Sequence, residues 1–215
     1  MGYFVFQKVS QLKESFSRRT RARRSQQFRE IMQIKGGERV VDLGGKPQFW
    51  DDIPEPLDIT VLNLPGSNPP YEGSSHHKIT LLDGDACATT FADQSFDIAF
   101  SNLVIEHVGR DLKEDQLAGE LHRLAPAHWV QTPSIWFPIE AHNNIPFWWF
   151  YPTSLKKAFM RRWRRRLPAW SEMVAGTVVI PKSRMKQVFP DSDLLVERFA
   201  GFVKSYICYK RPPSR

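Results

Sequence analysis

The chain has 215 residues, 41% of them hydrophobic, and a formal net charge of +7. This excludes a disordered chain and suits one α/β domain with a buried core, with too little length for two. The two distant cysteines, Cys87 and Cys208, exclude a disulfide framework or a CxxC zinc site and point to a reducing cytoplasm.

The first eight residues hold only a brief apolar patch, shorter than a signal-peptide core. Residues 8–34 predict one basic helix punctuated by Val9, Leu12, Phe16, Phe28 and Ile31, and Lys35-Gly36-Gly37 ends it. We take 1–35 as a basic N-terminal helix, since residues 1–30 carry eight Lys or Arg against two Glu. Arg39–Leu43 is an apolar strand that runs into Gly44-Gly45. A buried strand ending in glycine lets the backbone of the next loop approach a ligand closely. Residues 46–52 have room for a turn or two of helix before Pro54 and Pro56 break it.

Asp58–Leu64 is a β-rich second strand closed by Pro65-Gly66, and a polar loop with Pro69, Pro70 and Gly73 follows. Lys78–Leu82 is the third strand and leads into Asp83-Gly84-Asp85-Ala86. The fourth, Phe96–Ser101, ends in small polar residues and continues as Asn102-Leu103-Val104-Ile105-Glu106-His107-Val108. Lys113–Leu124 is an amphipathic helix with Leu117, Leu121 and Leu124 on one side. His128–Thr132 is the fifth strand, stopped by Pro133.

An aromatic and basic insertion occupies about 134–170, and five of the seven tryptophans (Trp136, Trp148, Trp149, Trp163, Trp170) lie in it. Its longest apolar run, 145–151, falls short of the roughly twenty residues a spanning helix needs. The stretch 154–167 predicts a basic amphipathic helix with Lys156, Lys157, Arg161, Arg162, Arg164, Arg165 and Arg166, and no acid. Aromatic residues followed by such a helix suit the surface of an anionic membrane. They equally suit a substrate lid packed on the core. Nucleic acid is a third partner class that basic patches interleaved with Trp and Phe can serve.

Ser183–Phe189 is a short helix. Asp193–Phe199 and Val203–Tyr209 are strands joined by only Ala200-Gly201-Phe202, which demands an antiparallel pair. Alternating strands and helices before it imply parallel pairing with right-handed crossovers. The expected fold is therefore α/β, a Rossmann-like seven-stranded mostly parallel sheet with a C-terminal antiparallel hairpin and helices on both faces.

Over about residues 36–210 these pieces resemble the class I S-adenosylmethionine-dependent methyltransferases. Asp42-Leu43-Gly44-Gly45 matches the first motif, Leu62-Asn63-Leu64 the ribose position, and Gly84-Asp85-Ala86 the pair that meets adenine. Residues 91–97 with Ser101-Asn102 match the fourth motif, Glu106-His107-Val108 looks like the "EHV" of the small-molecule branch, and the late hairpin fits strands six and seven. The resemblance implies that Asp42, Gly44, Gly45, Asn63, Leu64, Asp85, Ala86, Ser101, Asn102 and Leu103 hold S-adenosylmethionine. Two departures stand out: Lys46-Pro47 replaces the usual later glycine, and Asn63 replaces an acid at the ribose. An amide is a weaker, uncharged acceptor there.

His107 and His142 are the catalytic candidates, since an imidazole titrating near neutral pH can deprotonate an acceptor hydroxyl. Some branches hold a divalent ion with E-x-x-E-H and a later His. Leu103 stands where the first acid would be, so no metal is expected; the alternative is a site built from the two histidines with Glu106 and Glu140. The implied activity is methyl transfer, by in-line displacement, to oxygen of a small or lipid-linked acceptor by a cytoplasmic protein that associates peripherally with membrane. An RNA methyltransferase and a cofactor-binding scaffold without turnover are the alternatives.

Overall fold

The computed structural model describes residues 22–73, 76–140 and 142–213. The proposed helical stretch 8–21 lies outside them. Residues 22–32 are helical (α1). The strands are β1 (Arg39–Leu43), β2 (Asp58–Asn63), β3 (Lys78–Asp83), β4 (Ile98–Asn102), β5 (Ala127–Pro133), β6 (Asp193–Phe199) and β7 (Phe202–Lys210). The further helices are α2 (Leu112–Leu124), α3 (Thr153–Arg166), α4 (Pro168–Gly176) and α5 (Lys182–Val188).

One seven-stranded sheet forms, in the order β3-β2-β1-β4-β5-β7-β6. The first five strands pair in parallel and the last two antiparallel, as the sequence pattern predicts. The order reverses between β1 and β4. A crevice opens there at the carboxyl ends of the strands, where open α/β sheets bind their ligands.

Period-two alternation divides the core between the two faces of the sheet. Val41, Leu43, Ala99 and Val130 pack on one face against Leu117, Leu121 and Leu124 of α2 and Met185 of α5. Val40, Ile98, Phe100 and Trp129 pack on the other against Phe28 and Met32 of α1. Phe28 sits edge-on to Trp50, Phe100 and Trp129, with ring centroids 5.3–5.8 Å apart. Each such side chain contributes about 1.5–3 kcal/mol by burial.

Several boundaries differ from the sequence pattern for local reasons. Phe96 stays outside β4, and Asp97 accepts the Arg39 amide at 2.8 Å, closing the start of the β1–β4 pair. The last hairpin has a two-residue turn where three were expected. Ala200 and Gly201 both have positive φ, +47° and +84°, and Phe202 pairs with Phe199. Positive φ at both central residues matches the strand twist of a tight hairpin. Residues Pro47–Asp52 form a 3-10 turn with Pro47 at its start. The helix α4 has no counterpart in the sequence reading; it restarts after Leu167 with Pro168 in its first turn.

Candidate active site

The loop after β1 is shaped by two glycines. Gly44 has φ +81°, and a Cβ there would meet Val104 at 2.5 Å. A Cβ on Gly45 would stand 2.1 Å from both Asp42 oxygens. Asp42 is fully buried, and Trp50 Nε1 donates to its Oδ2 at 2.9 Å. Its Oδ1 has no partner among the described residues. Burial drives this carboxyl up to about 7, against the hydrogen bond from Trp50.

Asp42, Gly44, Gly45, Phe49, Asn102, Leu103, His107 and His142 line one cleft of about 920 Å³. Asn102 Oδ1, also buried, is a second acceptor without a donor. Two unpartnered oxygens over a glycine cradle favour a ligand that brings N–H donors or positive charge. Leu103 holds φ +60°, a strained conformation for a side-chain-bearing residue, beside this cleft.

The remaining residues assigned to the cofactor sit differently. Ser101 is buried beneath the loop and donates to the Leu43 carbonyl at 3.1 Å, bracing β1 on β4. Asn63 Nδ2 donates to the Gly45 carbonyl at 3.0 Å and to Asn68 Oδ1 at 2.9 Å, so it supports the glycine loop. Leu64 is exposed. Asp85 Oδ1 accepts the Cys87 amide at 2.8 Å and Oδ2 faces Lys113 Nζ at 3.3 Å. The Cys87 amide, with Lys113 adding to it, outweighs desolvation and holds the Asp85 carboxyl below its ordinary range. Ala86 packs on the core. None of these five lines the cleft.

At the other end of the cleft His107 Nε2 and His142 Nε2 are 2.8 Å apart. His142 Nδ1 donates to Glu140 Oε1 at 2.8 Å, and Glu140 Oε2 accepts the amides of His142 and Asn143. Burial would lower His142, but the Glu140 carboxylate outweighs it and raises the imidazole above its ordinary value. Burial, then the neighbouring His142, pushes His107 down to about 4. The pair therefore carries its proton on His142. His107 Nδ1 lies 3.3 Å from Thr177 Oγ1, whose hydroxyl donates to the Met173 carbonyl at 2.9 Å. Glu106 is fully buried, accepts from Thr132 Oγ1 at 3.2 Å, and is pushed up to about 7 by burial.

Glu106, His107 and His142 offer donor atoms all within 4.8 Å of one another, a set that one metal ion could bridge. In the arrangement present, one of the two Nε2 atoms donates its N–H to the lone pair of the other, so an ion bound through both Nε2 atoms would replace that hydrogen bond.

A second cavity, about 380 Å³, adjoins the first; Leu103 and Arg24 line both. Its apolar walls include Ile135, Phe137, Ile139, Trp149 and Val179. Its polar wall holds Arg24, Gln131 and Lys204. Glu197 ties them together, accepting from Arg24 at 3.3 Å, Gln131 at 3.0 Å and Lys204 at 3.3 Å. Arg24 Nε and Gln131 Oε1 have no partner among the described residues. Sequence reasoning missed Arg24, Gln131, Thr177 and Lys204. Arg24 left a trace only as one of the N-terminal basic residues, and Gln131 as a polar residue at the ligand end of a buried strand.

A methyltransferase domain family matches residues 58–126. The curated proteins include no match. Among solved structures, the PH0226 protein of Pyrococcus horikoshii superposes with TM-score 0.56 at 15% identity, over 93% of this chain and 92% of that one. The N-terminal domain of EvdMO1, with S-adenosylhomocysteine bound, gives TM-score 0.56 at 15% identity, over 90% and 81%. Phosphoethanolamine N-methyltransferase 2 of Haemonchus contortus, in complex with S-adenosylmethionine, gives 0.56 at 12% identity, over 87% of this chain and 51% of that one. The chain thus spans about half the length of the Haemonchus enzyme. At these identities the likeness is one of fold.

Proposed function

We propose, from the premise that this chain is built as a class I S-adenosylmethionine-dependent methyltransferase, that it binds S-adenosylmethionine in the larger cleft and methylates an oxygen of an acceptor held in the smaller one. The observation that carries this reading is the unpartnered Asp42 Oδ1 buried beside the Gly44–Gly45 cradle. The residues fit the group: Asp42 and Asn102 offer acceptors to its cationic end, and the two glycines let the backbone approach it.

The cofactor supplies an activated methyl group on a sulfonium. The protein's part is alignment, exclusion of water and management of one proton. Leu103 lines both cavities, which supports a role packing between donor and acceptor. When His142 is uncharged, the His107–His142 pair is a base that can take the acceptor hydroxyl proton as the oxygen gains its methyl. The resulting positive charge rests on His142, against Glu140. The apolar walls with a cationic corner at Arg24 and Lys204 suit a small or lipid-linked acceptor that carries polar or anionic groups.

Calorimetric titration with S-adenosylmethionine and S-adenosylhomocysteine tests the reading. Micromolar binding of both supports it; no binding at millimolar ligand overturns it. Binding without transfer to any acceptor identifies the scaffold alternative. Transfer that a chelator abolishes would assign His107 and His142 to a metal ion and remove their role as base.

A further inference from the structure

Five exposed large hydrophobic residues fall in the segment 136–155, which also supplies Phe137, Ile139 and Trp149 to the lining of the smaller cavity. Trp136, Ile139, Phe147, Phe150 and Leu155 are between 42% and 59% exposed. Ile139 lines the cavity itself, and Trp136 stacks on Phe150 with centroids 5.8 Å apart. Exposed apolar groups clustered at a cavity mouth mark a surface that something covers.

The basic helix α3 is attached to this rim. Lys156 Nζ donates to the Trp149 carbonyl at 2.8 Å and lies 5.8 Å from the Trp149 ring, a wall of the cavity. Behind it, Trp148 packs on Phe159 and Trp163 of α3. The helix buries none of its residues fully. It carries seven Lys or Arg and no acid. Among the described residues, no ion pair reaches any of these seven cations. Arg24, Arg29, Arg39, Arg123 and Arg184, by contrast, each pair with a carboxylate.

We propose that this rim and α3 together dock on an anionic lipid bilayer, with the apolar rim in the headgroup layer and the α3 cations on acidic headgroups. Charge complementarity selects the anionic surface. The rim selects lipid over nucleic acid: Ile139 and Leu155 have no base to stack on, whereas an interfacial layer takes aliphatic and aromatic side chains alike. Docking would set the cavity mouth against the membrane, so its occupant would be an amphiphile drawn from the bilayer. That last step rests on the cavity being the acceptor site proposed above; the docking does not.

Flotation of the full chain with vesicles tests the docking, using phosphatidylcholine alone and phosphatidylcholine mixed with phosphatidylglycerol. The wild type is expected to float with the mixed vesicles only. Two variants, Trp136→Ser with Phe150→Ser and Arg161→Gln with Arg162→Gln, Arg165→Gln and Arg166→Gln, should each weaken flotation at least about tenfold. Both should keep wild-type affinity for S-adenosylhomocysteine, since neither touches the cofactor cleft. Wild type that stays with the pellet, variants that float as well as wild type, or retention of a single-stranded RNA without vesicle binding would each overturn the proposal. Flotation by a protein that binds no S-adenosylhomocysteine would leave the docking standing and remove the enzymatic reading.

Discussion

A Cβ on Gly45 would overlap the Asp42 carboxylate at 2.1 Å, so the acid and the glycine occupy one packed unit at the end of β1. No rotation of a flexible side chain relieves this contact, because Asp42 is fully buried and held by Trp50. Gly45→Ala is therefore expected to displace the carboxylate and to lower affinity for S-adenosylhomocysteine at least about a hundredfold, with about 1–3 kcal/mol lost in stability. Gly119→Ala is the control. It lies in α2 with nothing within 4 Å of the added Cβ, and should gain about 0.5–1 kcal/mol. Calorimetry and denaturant melts read both. Unchanged affinity in the Gly45 variant would take the cofactor away from this loop.

Asp42 also makes binding depend on pH. Its carboxyl is pushed up to about 7 by burial, and a cationic ligand beside it favours the ionised form. Below about pH 7 the group must release a proton before it can pair, so affinity for S-adenosylmethionine should rise from pH 6 to pH 8 with proton release on binding. Stability runs the other way. The folded pKa lies above the unfolded one, so this carboxyl stabilises the fold below its ordinary range and loses that contribution as pH rises through about 7. Asp42→Asn should therefore raise the melting temperature at pH 8, leave it nearly unchanged at pH 4, and flatten the pH profile of binding. Titration calorimetry in buffers of different ionisation enthalpy, with melts at both pH values, decides it.

Much of this site follows from local sequence and much does not. Val40 and Val41 with Asp42-Leu43-Gly44-Gly45 is a local signal, because strand alternation and the steric need for glycine both act within a few residues. The pairing of His107 with His142 is different: 35 residues separate them and only the fold of the insertion brings their Nε2 atoms to 2.8 Å. Arg24 was legible as charge alone. Its place at the junction of two cavities depends on Phe28 and Met32 anchoring α1 in the core. Asp85 is legible as a motif residue, but its local partners, the Cys87 amide and Lys113 Nζ, are set by the fold, with Lys113 28 residues away.

The charge state of the histidine pair can be read without an acceptor. Imidazole titration by NMR should show His142 above its ordinary value and His107 near 4. Glu140→Gln removes the carboxylate that outweighs burial, so His142 should then titrate below its ordinary value. Once an acceptor is in hand, His142→Ala and His107→Ala should each slow transfer by about 10²–10⁴ with cofactor affinity kept. If His142 in the Glu140 variant titrates as in wild type, the proton is held by some other group.

His128 offers a test of the core that is independent of ligand. It is fully buried in β5, its Nε2 lies 2.6 Å from Ser192 Oγ, and its Nδ1 has no partner. Burial, with His122 adding to it, pushes its imidazole from 6.5 down to about 3. Between those values the unfolded chain binds a proton that the folded chain refuses, so this residue removes stability as pH falls below about 6.5. Asp42 and Glu106, both pushed up to about 7, act in the opposite sense over the same range. The wild-type profile therefore mixes the two, and the informative quantity is the difference from a variant. His128→Gln should lose stability at pH 8 through its altered packing and lose less, or gain, relative to wild type at pH 4. Urea melts across that range measure the difference, and a difference that does not change with pH would mean that the buried imidazole takes up its proton without unfolding.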